Sequence, residues 1–552
     1  MEPNHRLAWW YAARRTPDAT LTLQGRRFMS STPDAPAAPS RGDRGFFGHP
    51  RPLGSLFFTE MWERFSYYGI RPLLVLFMAA GLAEGGLGFS REDAAAIVGI
   101  YAGAIYLSAL PGGWLADNWL GQRRAVWYGS ILIALGHLAI ALSALWGATA
   151  FFIGLLLIVL GSGLFKTCIT VMVGSLYDEN DARRDGGFAI FYMGINLGAL
   201  LAPLMSGLLI ENGGWHWGFG IGGLGMLAAL LIFRLWAIPA MRRADAERGR
   251  DASWDAPAVK RRGVGLVVSG LTILAAALVG LTAIGVIHLQ PVAIAEAMTS
   301  VIIVCALGFF VYLMAFAGLD ARERSRVVVA FLLIVASAFF WASFEQQPTS
   351  YNLFANDYTD RALFGGWEIP TVWFQSLNAI FIILLGPLFG WLWPALGRRG
   401  LEPGSATKFV MGLLFAAAGF GLMMLAARQV LVGDGLVSPL WIASSLLLLT
   451  LGEMCLSPVG LSTMSTLAPQ RIRGQLMGLW FTSLALGNLV AGLIGGNVSA
   501  DKLTELPALF GRSAVALVLC ALILALLTPL IGRMLKGGHH TAAAPSSSTP
   551  GA

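Results

Sequence analysis

The sequence predicts an all-α integral membrane protein of about 14 transmembrane helices, arranged as two six-helix bundles plus an inserted two-helix hairpin. Three observations support this fold class. Apolar residues make up 56% of the 552 residues and charged residues only 12%, against about a quarter in soluble domains. The apolar residues are gathered in stretches close to the ~20 residues that a helix needs to cross a bilayer. Arginine and lysine are concentrated in every second connection between these stretches.

The apolar stretches follow one another between two polar ends of the chain. We expect helices at about residues 56–81, 94–116, 125–145, 150–175, 186–210, 217–238, 263–287, 292–317, 327–347, 373–395, 406–427, 437–462, 474–497 and 509–533. Residues 1–50 are polar and lack an apolar run long enough for a signal peptide, so we expect a disordered cytoplasmic leader, in which Met29 is an alternative start to Met1. The low-complexity residues 537–552 predict a disordered cytoplasmic tail.

The basic residues predict how the chain is oriented in the membrane. One alternate set of connections is rich in arginine and lysine, including Arg123, Arg124, Arg183, Arg184, Arg242, Arg243, Arg322, Arg324, Arg398, Arg399, Arg471 and Arg473. By the positive-inside rule, these connections and both termini are cytoplasmic, and the chain is a multi-pass protein of the cytoplasmic (inner) membrane. The net charge of +7 therefore reflects topology. We expect the lipid bilayer, and no nucleic acid, as a partner.

The division into domains follows from the longest charged connection, at residues 241–262. The two apolar segments after it contain few polar groups, and we interpret residues 263–317 as an inserted transmembrane hairpin. Setting the hairpin aside leaves an N-terminal six-helix bundle at residues 51–240 and a C-terminal six-helix bundle at residues 318–536. Two matched bundles are typical of secondary transporters, which bind their substrate between the halves near the middle of the bilayer.

The first apolar segment contains an unusual cluster of ionisable residues. At about 100° per residue, five of them share one stripe of the helix about 100° wide: Glu60, Glu63, Arg64, Tyr67 and Arg71. A charge in the middle of a membrane costs about 2.5 to 3.5 kcal/mol on insertion scales. The stripe is therefore expected to face a polar cavity and not lipid.

Later segments contribute further polar residues at membrane depth, namely Lys166, Asn196, Glu345, Asn378 and Glu453. Such residues usually mark a functional site, and structural ion pairs are the alternative interpretation. The cations Arg64, Arg71 and Lys166 come from the first half of the chain. The carboxylates Glu345 and Glu453 come from the second half, so a cavity between the halves would be polarised. Such a cavity suits a zwitterion.

Two motifs relate the chain to a known family. Residues 60–69 read ExxERFxYYG, and residues 191–200 read FYxxINxGxL. In this order they resemble the two signatures of the proton-dependent oligopeptide transporter (POT, or PTR2) family of the major facilitator superfamily. Residues 112–117, Gly-Gly-Trp-Leu-Ala-Asp, also resemble the superfamily's loop between helices two and three. The resemblance extends over about residues 50–535 and implies the major facilitator fold and proton-coupled import of di- and tripeptides by alternating access.

The resemblance also implies roles for individual residues. The peptide carboxylate would be bound by Arg64, Arg71 and Lys166, and its amino end by Asn196, Asn378 and Glu453. The pocket would be shaped by Tyr67, Tyr68, Tyr106, Trp341, Ser457 and Trp480. Protons would be carried by Glu60, Glu63 and Glu345. The pairs Arg71 with Glu345 and Lys166 with Glu453 would be gates between the bundles.

Other functions have weaker support in the sequence. The glycines at 220, 222 and 225 match GxGxxG but follow no strand, so close helix packing explains them better than a dinucleotide site. No GxxxxGK[ST] phosphate loop is present, and Ser457 has no evident base. We therefore expect no enzyme, no metal site and no cofactor, with protons as the coupling ion. The alternative is a transporter of the same fold for another solute, such as nitrate or a drug-like compound; the pattern specifies no oligomeric state.

Overall fold

The described part of the computed structural model is almost entirely helical. It comprises residues 45–178, 181, 183–249, 255, 263, 265, 270, 290–362, 366–433, 435–469, 472–498 and 500–536. Within these ranges there are 15 α-helices, and β-structure is limited to three isolated bridges between residue pairs.

The helices of the first half are α1 (Pro52–Ala79), α2 (Arg91–Leu115), α3 (Gln122–Ala141), α4 (Ser143–Gly174), α5 (Arg184–Gly213) and α6 (Trp215–Ile232). A π-helical turn (Phe233–Ala237) continues α6 into α7 (Ile238–Glu247). The remaining helices are α8 (Pro291–Phe316), α9 (Ala321–Phe344), α10 (Asn352–Tyr358), α11 (Ser376–Arg398), α12 (Ser405–Val432), α13 (Leu440–Leu467), α14 (Arg473–Gly495) and α15 (Leu506–Lys536).

Local sequence explains where two of the helices begin. α2 starts after Ser90, whose Oγ accepts a hydrogen bond from the Asp93 amide at 3.0 Å. α9 starts with a capping box: Asp320 Oδ1 accepts from the Glu323 amide at 2.7 Å, and Glu323 Oε2 accepts from the Asp320 amide at 3.1 Å. Such side chains satisfy amide groups that have no partner within the first helical turn.

The helix pattern confirms the predicted fold class. Twelve described stretches are helices long and apolar enough to cross a membrane. α1, with 28 residues, is long enough as well, although it contains four charged residues. Thirteen of the predicted segments coincide with described helices. The remaining one, at 263–287, lies outside the described residues apart from isolated positions, as do most of the predicted leader and the predicted tail.

The helices pack in two groups that meet along a shared surface. In the first half, α1 packs against α5 and α6, and α4 packs against α2 and α3. In the second half, α12 packs against α13 and α15, and α9 against α14 and α15. The groups meet where α2 contacts α14 and where α5 contacts α11, and α8 lies against both α2 and α14. The domain boundaries stay a prediction.

The contact between α2 and α14 is close because glycines face each other across it. A Cβ atom at Gly99 would lie 2.8 Å from the Asn488 carbonyl oxygen and 3.0 Å from the Gly492 Cα. A side chain at either glycine would push the two helices apart. Small residues at such crossings let helix backbones approach within membranes, so the two halves are in close contact here.

Candidate functional site

The stripe on α1 forms a compact ionic cluster. Arg64 makes a two-pronged contact with Glu63, with Nε 2.5 Å from Oε2 and Nη2 2.7 Å from Oε1. Arg64 Nε also lies 3.3 Å from Glu60 Oε1, one helical turn earlier. All three side chains are buried. The helical period places them together, and their opposite charges offset much of the cost of burial.

Arg71, about two turns nearer the end of α1 than Arg64, connects the two halves. Its Nη2 forms an ion pair with Glu345 Oε2, and the same nitrogen donates to Asn488 Oδ1 at 3.0 Å. Glu345 follows α9 directly, where the helix breaks before the π-helical turn Gln347–Tyr351. Interrupted helices often carry the binding groups of transporters. The ion pair shows that the predicted contact between Arg71 and Glu345 is present.

Aromatic rings surround these cations. The guanidinium carbons of Arg64 and Arg71 lie 5.2 and 5.7 Å from the centre of the Tyr67 ring. Tyr67 also packs edge-on against Tyr68 and parallel to Tyr101, which the sequence interpretation missed. A ring face favours a nearby cation where water is excluded. The tyrosines thus keep two positive charges close together on one face of α1.

Lys166 and Glu453 lie apart from each other, contrary to the predicted gate pair. Lys166 Nζ lies 3.9 Å from the centre of the Tyr106 ring, while Glu453 Oε2 accepts a hydrogen bond from Asn378 Nδ2 at 3.1 Å. Among the described residues, no ion pair joins Lys166 to Glu453. In this conformation each of the two groups has a partner within its own half, Tyr106 for Lys166 and Asn378 for Glu453, so the predicted pair is not formed.

The remaining predicted site residues have varied surroundings. Asn196 is buried and donates to the Tyr192 carbonyl of its own helix at 2.9 Å. Trp341 is buried beside Phe340 and Phe344, and Ser457 is half-buried. Trp480 fills the space beside Gly460 within the second half, where a Cβ atom would lie 2.2 Å from its ring. The roles of these residues stay predictions.

Hydrogen bonds between the halves define a closed end of the protein. They are formed by Arg71 with Glu345 and Asn488, Asn352 with the Pro72 carbonyl, Trp373 with the Leu204 carbonyl, Ser376 with the Leu200 carbonyl, Arg91 with Asp357 and the Val498 carbonyl, and Lys502 with Glu92. On the side of the first half, the described bonds involve the second half of α1, the start of α2 and the second half of α5. We call this the closed end. The opposite end, where no described hydrogen bond joins the halves, is called the open end.

Four buried polar atoms of the site have no hydrogen-bond partner in the described part of the chain: Glu60 Oε2, Arg71 Nε, Tyr101 Oη and Trp341 Nε1. Buried polar groups normally have partners, so these atoms are available to a bound polar molecule. Asn488, Tyr101 and the outer pair Arg91 with Asp357 were missed from the sequence. Asn488 could have been found from the sequence, because an asparagine within an apolar helix indicates a polar contact. No sequence feature indicated the pair of Arg91 with Asp357.

Buried charges between two six-helix groups, with one end closed, are the features of a secondary transporter of the major facilitator type. Comparison with known proteins shows which family of this class the chain belongs to. The family model described as "POT family" (PTR2) matches residues 123–505. The chain belongs to the POT family.

Individual relatives agree with this membership. The chain is 62% identical over 504 residues to "Peptide transporter YePEPT" of Yersinia enterocolitica subsp. palearctica, covering 91% of this chain and 98% of the relative. It is 36% identical over 455 residues to the "Di-/tripeptide transporter" of Lactococcus lactis subsp. cremoris, covering 80% and 88%. A crystal structure of "peptide transporter POT in complex with sulfate" superposes with a TM-score of 0.80 at 38% identity, covering 90% of this chain and 98% of that one.

Proposed function

We propose that this protein is a symporter that imports di- and tripeptides together with protons across the cytoplasmic membrane by alternating access. The observation that carries the proposal is the division of charge between the halves. The first half supplies Arg64, Arg71 and Lys166, and the second half supplies Asn378 and Glu453. Guanidinium and ammonium groups bind a carboxylate, whereas carboxylate and amide oxygens accept from an ammonium group.

The names of the relatives support a peptide as the substrate. Both the Yersinia and the Lactococcus relatives are named peptide transporters, and the second name specifies di- and tripeptides. A short peptide is a zwitterion whose two charged ends lie several ångströms apart. Such a molecule can bridge the cations of the first half and the acceptors of the second half.

The conformation supports the direction of access. By the positive-inside rule, the arginine-rich connections lie in the cytoplasm, and they are on the open end of the protein. With this orientation the closed end faces the outside, and we interpret the conformation as inward-facing. Opening to the outside requires the ion pair of Arg71 with Glu345 to break and the open end to close, with Lys166 and Glu453 brought together across the halves.

Protons couple to this cycle through the ion pairs. Protonating Glu345 removes the negative charge that holds Arg71, which weakens the closed end and frees a cation for the peptide carboxylate. Protonation of Glu60 or Glu63 similarly loosens Arg64. By linkage, a peptide that engages these cations raises the affinity for the proton.

The test is uptake of dialanine into liposomes that contain the purified protein. We expect accumulation only when an inward proton gradient is imposed. Glu345→Gln should abolish accumulation but retain exchange of labelled for unlabelled dialanine, because exchange needs no net proton movement. The matched control is Glu84→Gln, which changes an exposed carboxylate in the loop before α2.

Three results would contradict the proposal. Accumulation by Glu345→Gln equal to that of the unaltered protein would exclude Glu345 from coupling. Dialanine uptake that is independent of the gradient would exclude symport. Gradient-driven uptake of nitrate or a drug-like compound, without uptake of dialanine, would favour the alternative transporter of the same fold.

A further inference from the structure

A polar cavity lies away from the candidate transport site, at the open end of the first half. It has a volume of about 540 Å³ and is formed where α3 begins and where α6 continues into α7. Its lining includes Arg123, Arg124, Arg234, Arg242, Asp245 and Asp255. Four guanidinium groups and two carboxylates therefore face one space, so positive charge is in excess.

The two carboxylates already bind the start of α3. Asp245 forms an ion pair with Arg123, and Asp255 Oδ1 accepts from the Arg123 amide at 2.9 Å. Gly121, at φ +79°, permits this approach, because a Cβ atom there would lie 2.2 Å from the Asp255 carbonyl oxygen. Elsewhere in the described chain, no carboxylate forms an ion pair with Arg234 or Arg242. The excess positive charge thus remains on exposed arginines.

The position of Arg234 places the cavity at the surface of the bilayer. It lies 19 residues after Trp215, the first residue of α6, and at 1.5 Å per residue this distance is about 30 Å, the thickness of the hydrocarbon layer. Its guanidinium carbon lies 5.6 Å from the centre of the Trp127 ring. The π-helical turn sets this position, and Leu235 beside Arg234 is 71% exposed. An apolar rim therefore adjoins the cationic cavity.

We propose that this cavity binds the phosphate group of an anionic phospholipid from the cytoplasmic leaflet. Guanidinium groups bind phosphate oxygens through paired hydrogen bonds. Basic pockets between transmembrane helices on the cytoplasmic side are suited to such headgroups. Inorganic phosphate shares this chemistry, but the exposed apolar residues of α6 next to the cavity favour a ligand with acyl chains. Such a lipid joins α3 to α6 and α7 at the open end.

The experiment measures binding of phosphatidylglycerol to the purified full-length protein in detergent by native mass spectrometry, with phosphatidylcholine as the zwitterionic comparison. The variant is Arg234→Gln with Arg242→Gln, which removes two cations and keeps polar side chains. The control is Arg399→Gln, an exposed arginine at the end of α11 on the same side of the protein. We expect half-saturation by phosphatidylglycerol to require about twenty-five-fold more lipid in the double variant, since each surface cation contributes about fivefold. The control should bind like the unaltered protein.

Two outcomes overturn the proposal: equal binding of phosphatidylglycerol by the double variant and the unaltered protein, or equal binding of the two lipids by the unaltered protein. A third arm adds inorganic phosphate. If millimolar phosphate displaces phosphatidylglycerol completely and stabilises lipid-free protein to the same extent, the ligand is a free anion and the lipid assignment is wrong. If the double variant elutes as aggregate in gel filtration, the single variant Arg124→Gln replaces it, with weaker phosphatidylglycerol binding expected and unchanged binding overturning the proposal. This experiment measures lipid binding and not peptide uptake. A negative result would therefore contradict the lipid proposal without bearing on the proposed peptide transport.

Discussion

Loss of a single ionic link between the halves should open the closed end. Arg91, at the start of α2, forms an ion pair with Asp357 on α10, and its Nη1 donates to the Val498 carbonyl at 3.0 Å. The variant Arg91→Met keeps the apolar part of the side chain and removes both contacts. The side chains are 30% and 17% exposed, so the ion pair contributes about 1 kcal/mol and the hydrogen bond a similar amount.

A loss of about 2 kcal/mol changes the ratio of open to closed molecules at this end about thirtyfold. The assay is the distance between spin labels at Leu82→Cys and Val432→Cys, which are 78% and 90% exposed and lie at this end in opposite halves. Cys305 and Cys520 are replaced by alanine so that they take up no label. We expect Arg91→Met to enlarge the population with the longer distance.

The control for this experiment is Arg428→Met, which removes an exposed arginine near the end of α12. It should leave the distance distribution unchanged. A second variant, Asp357→Asn, should enlarge the same population, and combining it with Arg91→Met should add less than the sum, because both remove one contact. Identical distributions for Arg91→Met and the unaltered protein would show that this link does not hold the closed end.

Three further predictions concern the site and the contact between the halves. Exchanging the charges in Arg71→Glu with Glu345→Arg should recover part of the proton-driven dialanine uptake lost in either single variant; no recovery would leave their pairing without a role in transport. Gly99→Val should lower uptake about tenfold, because its side chain forces α2 from α14, whereas Gly220→Val, with open space around it, should transport normally. Asn378→Ala should raise the KM for dialanine roughly tenfold, because its carboxylate partner on α13 loses a hydrogen bond; an unchanged KM would remove Asn378 from the site.

Much of the architecture could be predicted because a membrane permits few solutions. A backbone within lipid must satisfy its own hydrogen bonds. An apolar run of about 20 residues is therefore expected to form a helix. Thirteen predicted segments accordingly coincide with described helices. The grouping of Glu60, Glu63 and Arg64 was predictable for a related reason: all three lie within two turns of one helix, whose period alone brings them together.

Contacts between distant segments were harder to predict. The pairing of Arg71 with Glu345, 274 residues apart, was inferred only through family resemblance. The link of Arg91 to Asp357 and the arginine cavity of α3, α6 and α7 had no sequence signal. Charged residues near helix ends look like ordinary solvated groups until packing shows which of them face one another.

The sequence by itself determined the helices, their alternation across the membrane and the charged face of α1, since each depends on hydrophobicity or on the period of a single helix. Only the tertiary structure decided which charges meet. Arg71 reaches Glu345 because the halves are in contact at the closed end, while Lys166 lies against Tyr106 and Glu453 bonds to Asn378. The partners of a charge between two movable halves depend on the separation of those halves, which no local pattern specifies.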